Sequence, residues 1–242
     1  TDKAVIEKSF LTIQGEDYSA KSESYIRGEK SNDHNVTPYD ASKKKINFLA
    51  AETWYEPGEA VTYTFDIKEA GLYTLHFKFK QSHKKDLPVF KRIYIDDKVP
   101  FEELLNYAFP YTGQRYRNET LAVDNEKVYI YLDEGTHTLT LESTASPYFE
   151  SNENLLKVIS MINDIALEIK LITGGKVDKE RDWNIIQYVP TLSDDLLQCA
   201  DILSKEYEKL SQLTNKTDSY VLSNLKIAID FLKKYAAEPD KL

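Results

Sequence analysis

The sequence has few of the residues that build common metal, redox and catalytic sites. Cys199 is the only cysteine, which excludes an intrachain disulfide, and it falls in an apolar helical pattern typical of a buried side chain. No nucleotide-binding glycine motif and no nucleophile elbow occurs. The histidines are few and show no metal-ligand spacing: His34, His76, His83 and His137. The sequence therefore favours a binding or structural role over a familiar enzyme class.

Carboxylates suited to glycoside hydrolysis are not evident either. Asp96-Asp97 and Glu102-Glu103 are adjacent pairs, and neighbouring side chains on a strand or turn point apart. A glycosidase needs two carboxylates that face each other across a cleft. We therefore predict that the chain is not an enzyme. A hydrolase is kept as an alternative to the binding and structural roles.

Positive charge is in deficit. The chain has 31 Lys and Arg against 40 Asp and Glu, a net charge of −9. Binding to nucleic acid or an anionic membrane needs clustered basic residues, so we expect neither a nucleic-acid partner nor direct membrane insertion. No transmembrane run and no signal peptide is evident, and the strand-like start leads us to expect a piece of a longer protein.

What the sequence has in quantity is tyrosine, with 17 in 242 residues, together with strands of alternating polarity. Apolar residues alternate with polar ones from Val61 to Ile67 and again from Tyr73 to Phe79, with a turn at Glu69-Ala70-Gly71. Val128 to Leu132 and His137 to Leu141 repeat the pattern. The spacing predicts two antiparallel hairpins, each with one buried face.

Three further strands are predicted in the first part of the chain. They run from Val5 to Ile13, from Ile46 to Ala50 and from Val89 to Ile95, separated by long polar loops. Since an isolated hairpin is marginal in water, we expect these strands to complete an antiparallel β-sandwich.

The pattern changes to a helical period near Pro147. A first helix is predicted between Asn152 and Thr173, a second after a capping box at Thr191 and Asp194, and a third around Leu225 and Ile229. Each helix is predicted to have one apolar stripe, which includes Ile159 in the first helix, and a charged opposite face, which includes Glu206 in the second. The predicted fold is α+β: an N-terminal antiparallel β-sandwich at 1–148 followed by an antiparallel three-helix bundle at 149–242.

The best functional signal is an irregular aromatic segment from Pro100 to Arg117, because loops of this length usually have a function. Sugars stack on aromatic faces while Asn and Arg bond their hydroxyls. The alternative is that the rings of this segment anchor it on the sandwich. Trp54 and Tyr55, at the start of the first hairpin, are also candidates, and their alternative is a place in the core. The candidate ligand-binding residues are Trp54, Tyr55, Arg92, Tyr107, Tyr111, Arg115, Tyr116, Arg117 and Asn118.

The chain resembles the galactose-binding-like jelly roll of non-catalytic carbohydrate-binding modules. The resemblance is carried by Gln14 to Tyr18 after the first strand, by Val61 to Lys80 and by Leu132 to Ser143. It implies a structural calcium to which Glu16 would donate a carboxylate, helped by backbone carbonyls of neighbouring loops. The alternative is that Glu16 pairs with a basic neighbour or faces water.

The whole chain also resembles a region of large extracellular bacterial proteins that combine such sandwiches with an ABC-transporter-type solute-binding domain. This resemblance is carried by the segments 13–18, 89–96, 99–103, 107–111 and 172–174, and by Arg181-Asp182. It implies an extracellular or cell-surface location, other domains of a longer chain as partners, and a helical part inserted before a closing strand that this chain lacks.

The sequence therefore favours two functions. The first is a non-catalytic module that binds carbohydrate, and the alternative is a structural or protein-interaction module without a sugar site. Exposure distinguishes them: burial of Trp54, Tyr107, Tyr111 and Tyr116 would favour the alternative.

Overall fold

The structure is a computed structural model that describes residues 10–39, 41–42, 45–175 and 183–239. It divides into two compact units with the boundary between Ser146 and Pro147. The first unit is built from antiparallel strands and the second from helices, which confirms the predicted fold class.

The described residues of the first unit form thirteen strands and two 3₁₀ turns. The strands are β1 Ala20–Lys21, β2 Gly28–Glu29, β3 Phe48–Leu49, β4 Ala60–Ile67, β5 Gly71–Tyr73, β6 His76–Phe79, β7 Val89–Ile95, β8 Tyr107–Phe109, β9 Arg117–Thr120, β10 Ala122–Val123, β11 Glu126–Lys127, β12 Ile130–Leu132 and β13 Gly135–Thr144. The 3₁₀ turns are Ala51–Thr53 and Glu102–Asn106.

The main sheet has five strands in the order β1-β4-β13-β7-β8, all antiparallel. The pairs β5–β12 and β6–β9 lie outside this sheet. Alternate residues of β4, β7 and β13 contribute fully or nearly buried side chains, such as Val61, Ile93 and Leu141, to one core with Ile130 and Leu132 of β12. Period-two alternation thus selects the buried face, as expected.

The two predicted hairpins are wrong in their pairing. β4 pairs with β13 over eight residues, from Gly135–Ile67 to Glu142–Ala60, rather than with β5. β5 pairs instead with β12, and β6 with β9. The turns after β4 and β12 therefore pass from one sheet to another, and each predicted hairpin exchanges partners with the other. Alternation determines which face of a strand is buried, but it contains no information on the neighbouring strand.

The other predicted strands have mixed outcomes. β7 has the predicted bounds, and β3 occupies the middle of the predicted segment 46–50. The strand predicted from Val5 to Ile13 is not formed at Phe10–Ile13, and its residues 5–9 lie outside the described part of the chain.

In the second unit, the residues that the structure describes form three long helices and one helix of a single turn. They are α1 Ser146–Thr173, α2 Ile185–Tyr188, α3 Leu192–Thr214 and α4 Tyr220–Ala237. None of the described helices is both long enough and apolar enough to span a membrane.

Contacts between α1 and α3 run in opposite directions along the two helices. Glu150 pairs with Lys209 at 2.5 Å, Asn154 donates to Glu206, and Met161 lies 4.0 Å from Cys199. The residue number rises on α1 as it falls on α3, so the two helices are antiparallel, as predicted. Only residues 215–219 connect α3 to α4, a length typical of an antiparallel helix pair.

The helix ends are made differently from the prediction. Thr191 precedes α3 but makes no side-chain cap bond, so the predicted capping box is not formed. Ser219 caps α4 instead, because its hydroxyl accepts a hydrogen bond from the backbone N–H of Leu222. α3 ends at Asn215 in the left-handed conformation, which satisfies the last carbonyls.

Two expectations for the helical faces are wrong. Glu206 is 3% exposed, not on the outer face; one carboxylate oxygen accepts from the Asn154 amide at 2.6 Å and the other is buried without a described partner. The outer faces of α1 and α4 are also not simply charged. Large apolar side chains more than half exposed lie there: Phe149, Leu156, Ile159, Leu167, Leu171, Ile227 and Phe231. Ile159 was expected in the buried stripe.

Candidate functional site

Strand register brings several candidate residues to one end of the first unit. The start of β4 lies beside the end of β13, because Ala60 pairs with Glu142. The start of β7 and the end of β8 lie at the same edge, since Phe90 pairs with Thr144 and Val89 with Phe109. The segments 51–59, 80–88 and 110–116 therefore share this end of the sandwich, which we call the loop end. They contain Trp54, Tyr55, Tyr111, Arg115 and Tyr116.

Glu59 organises the first of these segments. Glu59 is 4% exposed, and its carboxylate accepts hydrogen bonds from the Tyr25 hydroxyl and from the backbone N–H groups of Tyr55 and Glu56, at 2.7 and 2.8 Å for the two amides. Burial opposes ionisation, but the bonds from Tyr25, Glu56 and Tyr55 hold the pKa of this carboxyl below its usual value. The buried charge therefore fixes the turn before β4.

Trp54 and Lys91 pack together beside this carboxylate. The Trp54 ring is half-buried against the core, and its Nε1 donates to the Glu59 carbonyl at 3.1 Å. The Lys91 ammonium lies 3.3 Å from the Trp54 ring centroid and donates to the Ser143 hydroxyl at 2.5 Å. Burial lowers the pKa of Lys91 to about 7, which the negative charge of Glu59 opposes. The Trp54 face that Lys91 covers is closed to a ligand.

Two tyrosine rings remain open around Glu59, one from the turn before β4 and one from the segment before β2. Tyr55 is 65% exposed and Tyr25 is 49% exposed. Glu59 holds both: Tyr25 through its hydroxyl and Tyr55 through its backbone N–H. Because the bond to Tyr55 uses the backbone, its ring and hydroxyl are available for contact. We call this pair the tyrosine platform.

The segment 110–116 is anchored at the same end through Gln81. The backbone N–H of Thr112 donates to the Gln81 carbonyl, and the Gln81 side chain donates to the carbonyls of Lys84 and Leu87. Tyr116 is half-buried with the Lys80 ammonium 5.2 Å from its ring centroid. Burial, followed by the charge of Asp33, raises the pKa of Tyr116.

The remaining candidates differ in burial and in the partners they contact. Tyr107 is 8% exposed and packs edge-on against Phe109 in the core, so its ring cannot stack on a ligand. Arg92 lies on the sheet face opposite Ile93 and pairs with Glu142 at 3.4 Å. Arg117 and Asn118 are exposed on β9, where Arg117 pairs with Glu119 at 3.0 Å. Tyr111 is half-buried and Arg115 is exposed.

Sequence reasoning missed Tyr25, Glu59 and Lys91. Tyr25 is 34 residues from Glu59, so their contact has no local signal in the sequence. Glu59 follows Pro57-Gly58 directly before β4 and was indistinguishable from an ordinary turn carboxylate.

The donor atoms around Glu16 do not make a calcium site by themselves. One carboxylate oxygen is buried without a described hydrogen-bond partner, and burial, with the charge of Asp17, raises the pKa of this carboxyl. No group of three or more His, Cys, Asp or Glu side chains within the described residues could hold a metal ion. Calcium takes six to eight oxygen ligands, so backbone carbonyls would have to complete a site around the one carboxylate of Glu16, and so few charged ligands give weak affinity.

We therefore expect calcium to leave the melting temperature unchanged. A metal that binds only the folded state must raise this temperature, which thermal melting with calcium and then with chelator would detect. An increase that Glu16→Gln abolishes would contradict this expectation.

His137 forms a charged contact at the opposite end of the sandwich. Its Nδ1 lies 2.7 Å from the Asp96 carboxylate and its Nε2 lies 2.9 Å from the Asp133 carbonyl. Both neighbours only accept, so both bonds require the doubly protonated ring. The bond to Asp96 raises the pKa of His137 in spite of burial, and the Asp133 carbonyl and the charges of Asp96 and Asp133 add to the effect.

We predict that His137 makes stability fall as pH rises. Because the pKa of His137 is higher in the folded protein than its unfolded value of 6.5, the protonated ring stabilises the fold. This stabilisation is fully present below pH 6.5 and is lost as the pH rises through the folded pKa. Urea unfolding of the parent and of His137→Gln across this range would measure it. The lowered pKa of Lys91 makes stability change with pH in the opposite direction, and it does so in both proteins. The difference in unfolding free energy between the parent and His137→Gln therefore isolates the contribution of His137. A parallel pH dependence in both would overturn the prediction.

The comparison with protein families concerns the second unit. Residues 150–242 match the model of the bacterial solute-binding protein, 4-helix bundle domain. This match confirms the resemblance to bacterial solute-binding proteins for the helical part. No match was found among curated proteins.

Solved structures similar to the chain include carbohydrate-binding modules. A family 35 carbohydrate-binding module from an environmental isolate has 16% identity and a TM-score of 0.37. The match covers 55% of this chain and 79% of that module. A family 35 carbohydrate-binding module from Clostridium thermocellum has 14% identity and a TM-score of 0.34, and the match covers 49% of this chain and 85% of the module. A cycloisomaltooligosaccharide glucanotransferase of Paenibacillus sp. has 20% identity and a TM-score of 0.41, and covers 55% of this chain but only 16% of the enzyme.

Proposed function

We propose that this chain is a non-catalytic carbohydrate-binding region of an extracellular bacterial surface protein associated with solute transport. The single observation that carries the proposal is the tyrosine platform, Tyr25 and Tyr55, held at the loop end by the buried carboxylate of Glu59. In this proposal, residues 1–148 form the sugar-binding domain and residues 149–242 a helical domain that joins it to the rest of a longer chain.

The platform suits sugar binding for a physical reason. An aromatic ring offers a flat apolar face to the C–H groups of a sugar, and a tyrosine hydroxyl adds a hydrogen bond at its edge. The Glu59 bonds fix the turn before a ligand arrives, so little conformational entropy is lost on binding. Exposed Arg115 and half-buried Tyr111 and Tyr116 on the same end extend the polar contacts available to the ligand's hydroxyls.

We expect Tyr55→Ala to weaken glycan binding about tenfold, which corresponds to roughly 1.4 kcal/mol. The variant keeps the backbone bond to Glu59, so the turn should persist. Tyr188→Ala is the matched control, because Tyr188 is 66% exposed in the second unit. Calorimetry on a ligand found by a glycan array measures both. Absence of binding to plant, host and bacterial glycans at millimolar concentration would remove the proposal.

The alternative, a structural or protein-interaction module, is supported by three observations. Tyr107 is buried in the core, and the Trp54 face covered by Lys91 is unavailable. The exposed apolar side chains of α1, such as Leu156 and Leu171, give the helical unit an outer face suited to protein contact. This alternative gains if Tyr55→Ala and Tyr188→Ala bind every glycan equally.

A further inference from the structure

A surface groove lies on the first unit outside the loop end. It has a volume of ≈ 590 Å³ and runs between Phe101 and the β10–β11 hairpin. Val123 and Val128 line it, and the rings of Phe101 and Tyr129, 41% and 39% exposed, also border it. Its size falls within the range of roughly 300–1,000 Å³ typical of small-ligand sites.

The groove is acidic as well as aromatic. Glu103, Asp124 and Glu126 border it together with Lys127, so three carboxylates against one ammonium leave two negative charges. Within the described part of the chain, no hydrogen bond or ion pair engages these three carboxylates. Their charge is therefore available to a cationic ligand, and electrostatic complementarity favours one.

The hairpin that carries two of these carboxylates is geometrically defined. Asp124 and Asn125 have φ values of 50° and 67°, the left-handed conformation at both central positions that a tight two-residue turn requires. β10 and β11 pair on either side of it, Ala122 with Lys127 and Val123 with Glu126. The carboxylates thus project from a fixed turn instead of a loose loop.

We propose that this groove binds a glycan that carries free amino groups. The ammonium groups pair with Glu103, Asp124 and Glu126, and a sugar ring stacks on Phe101 or Tyr129, where a cation is also attracted to the ring face. The choice of a sugar over another amine rests on the proposed function, whereas the preference for positive charge rests on the groove alone.

Calorimetry with a glucosamine pentasaccharide and its fully N-acetylated counterpart tests the proposal. Acetylation removes each positive charge and keeps the sugar rings, so we expect the free amine to bind at least tenfold more tightly and to weaken as salt is added. The double variant Glu103→Gln/Glu126→Gln should lose this preference. Glu69→Gln/Glu134→Gln removes the same charge at exposed positions outside the groove and should retain it.

Three results would overturn the proposal. They are equal affinity for the two pentasaccharides, an unchanged preference in Glu103→Gln/Glu126→Gln, and a lysine pentapeptide that binds the groove as tightly as the amino sugar. Failure of the proposed function is distinguishable, because it is measured with neutral glycans and Tyr55→Ala. If the protein binds the amino sugar but no neutral glycan, the result supports the groove proposal and contradicts sugar binding at the tyrosine platform.

Discussion

Leu203→Asp is expected to unfold the helical unit. Leu203 is 5% exposed on α3, in one core with Val158 and Ile165 of α1 and Leu225 and Ile229 of α4. A carboxylate there is desolvated without a partner, and the loss also removes a large apolar side chain. The expected cost exceeds about 4 kcal/mol, beyond what most single substitutions cause.

Far-UV circular dichroism and calorimetric melting would measure the effect. The helical signal should fall sharply in Leu203→Asp, while the melting transition of the strand-rich unit should remain. Glu208→Ala is the control, because Glu208 is exposed on the same helix, and its change should stay within about 0.5 kcal/mol. If Leu203→Asp melts like the parent protein, the apolar stripes do not form a shared core.

Glu59→Ala is expected to have the second largest effect, a loss of about 3–5 kcal/mol typical of removing one member of a buried charged network. It leaves the backbone N–H groups of Tyr55 and Glu56 and the Tyr25 hydroxyl without their acceptor. It also removes the carboxylate whose charge favours the protonated form of Lys91. The tyrosine platform should lose its fixed geometry at the same time.

Urea unfolding and glycan binding should therefore both change in Glu59→Ala. Glu56→Ala is the matched control, since the exposed Glu56 contributes its backbone N–H and not its side chain to this network. A Glu59→Ala protein with parental stability would show that the carboxylate does not hold the turn. Parental stability with lost binding would instead assign Glu59 to direct ligand contact.

Part of the site was predictable because it depends on residue type. The long aromatic segment indicated Tyr116, and an aromatic pair at the start of the first hairpin indicated Tyr55; strand register places both at one end of the sandwich. Tyr107 has the same chemistry, yet it lies in the core. A tyrosine suits a half-exposed and a buried position alike, so composition could not separate the two.

The sequence by itself determined the element types and most buried faces. Periods of two and of three to four are local properties, and they predicted β7 residue by residue, the buried face of β4 and the three long helices. The galactose-binding-like resemblance and the order of sandwich and helices also came from the sequence.

Only the tertiary structure decided which elements are neighbours. β4 pairs with β13 and not with the strand after its turn, because a strand's alternation is equally compatible with any antiparallel partner. Glu206 is buried because α1 presents Asn154 to it, and Glu59 because Tyr25, distant in sequence, reaches its carboxylate. Whether a polar side chain faces water or a partner depends on residues far along the chain, and local sequence does not record that choice.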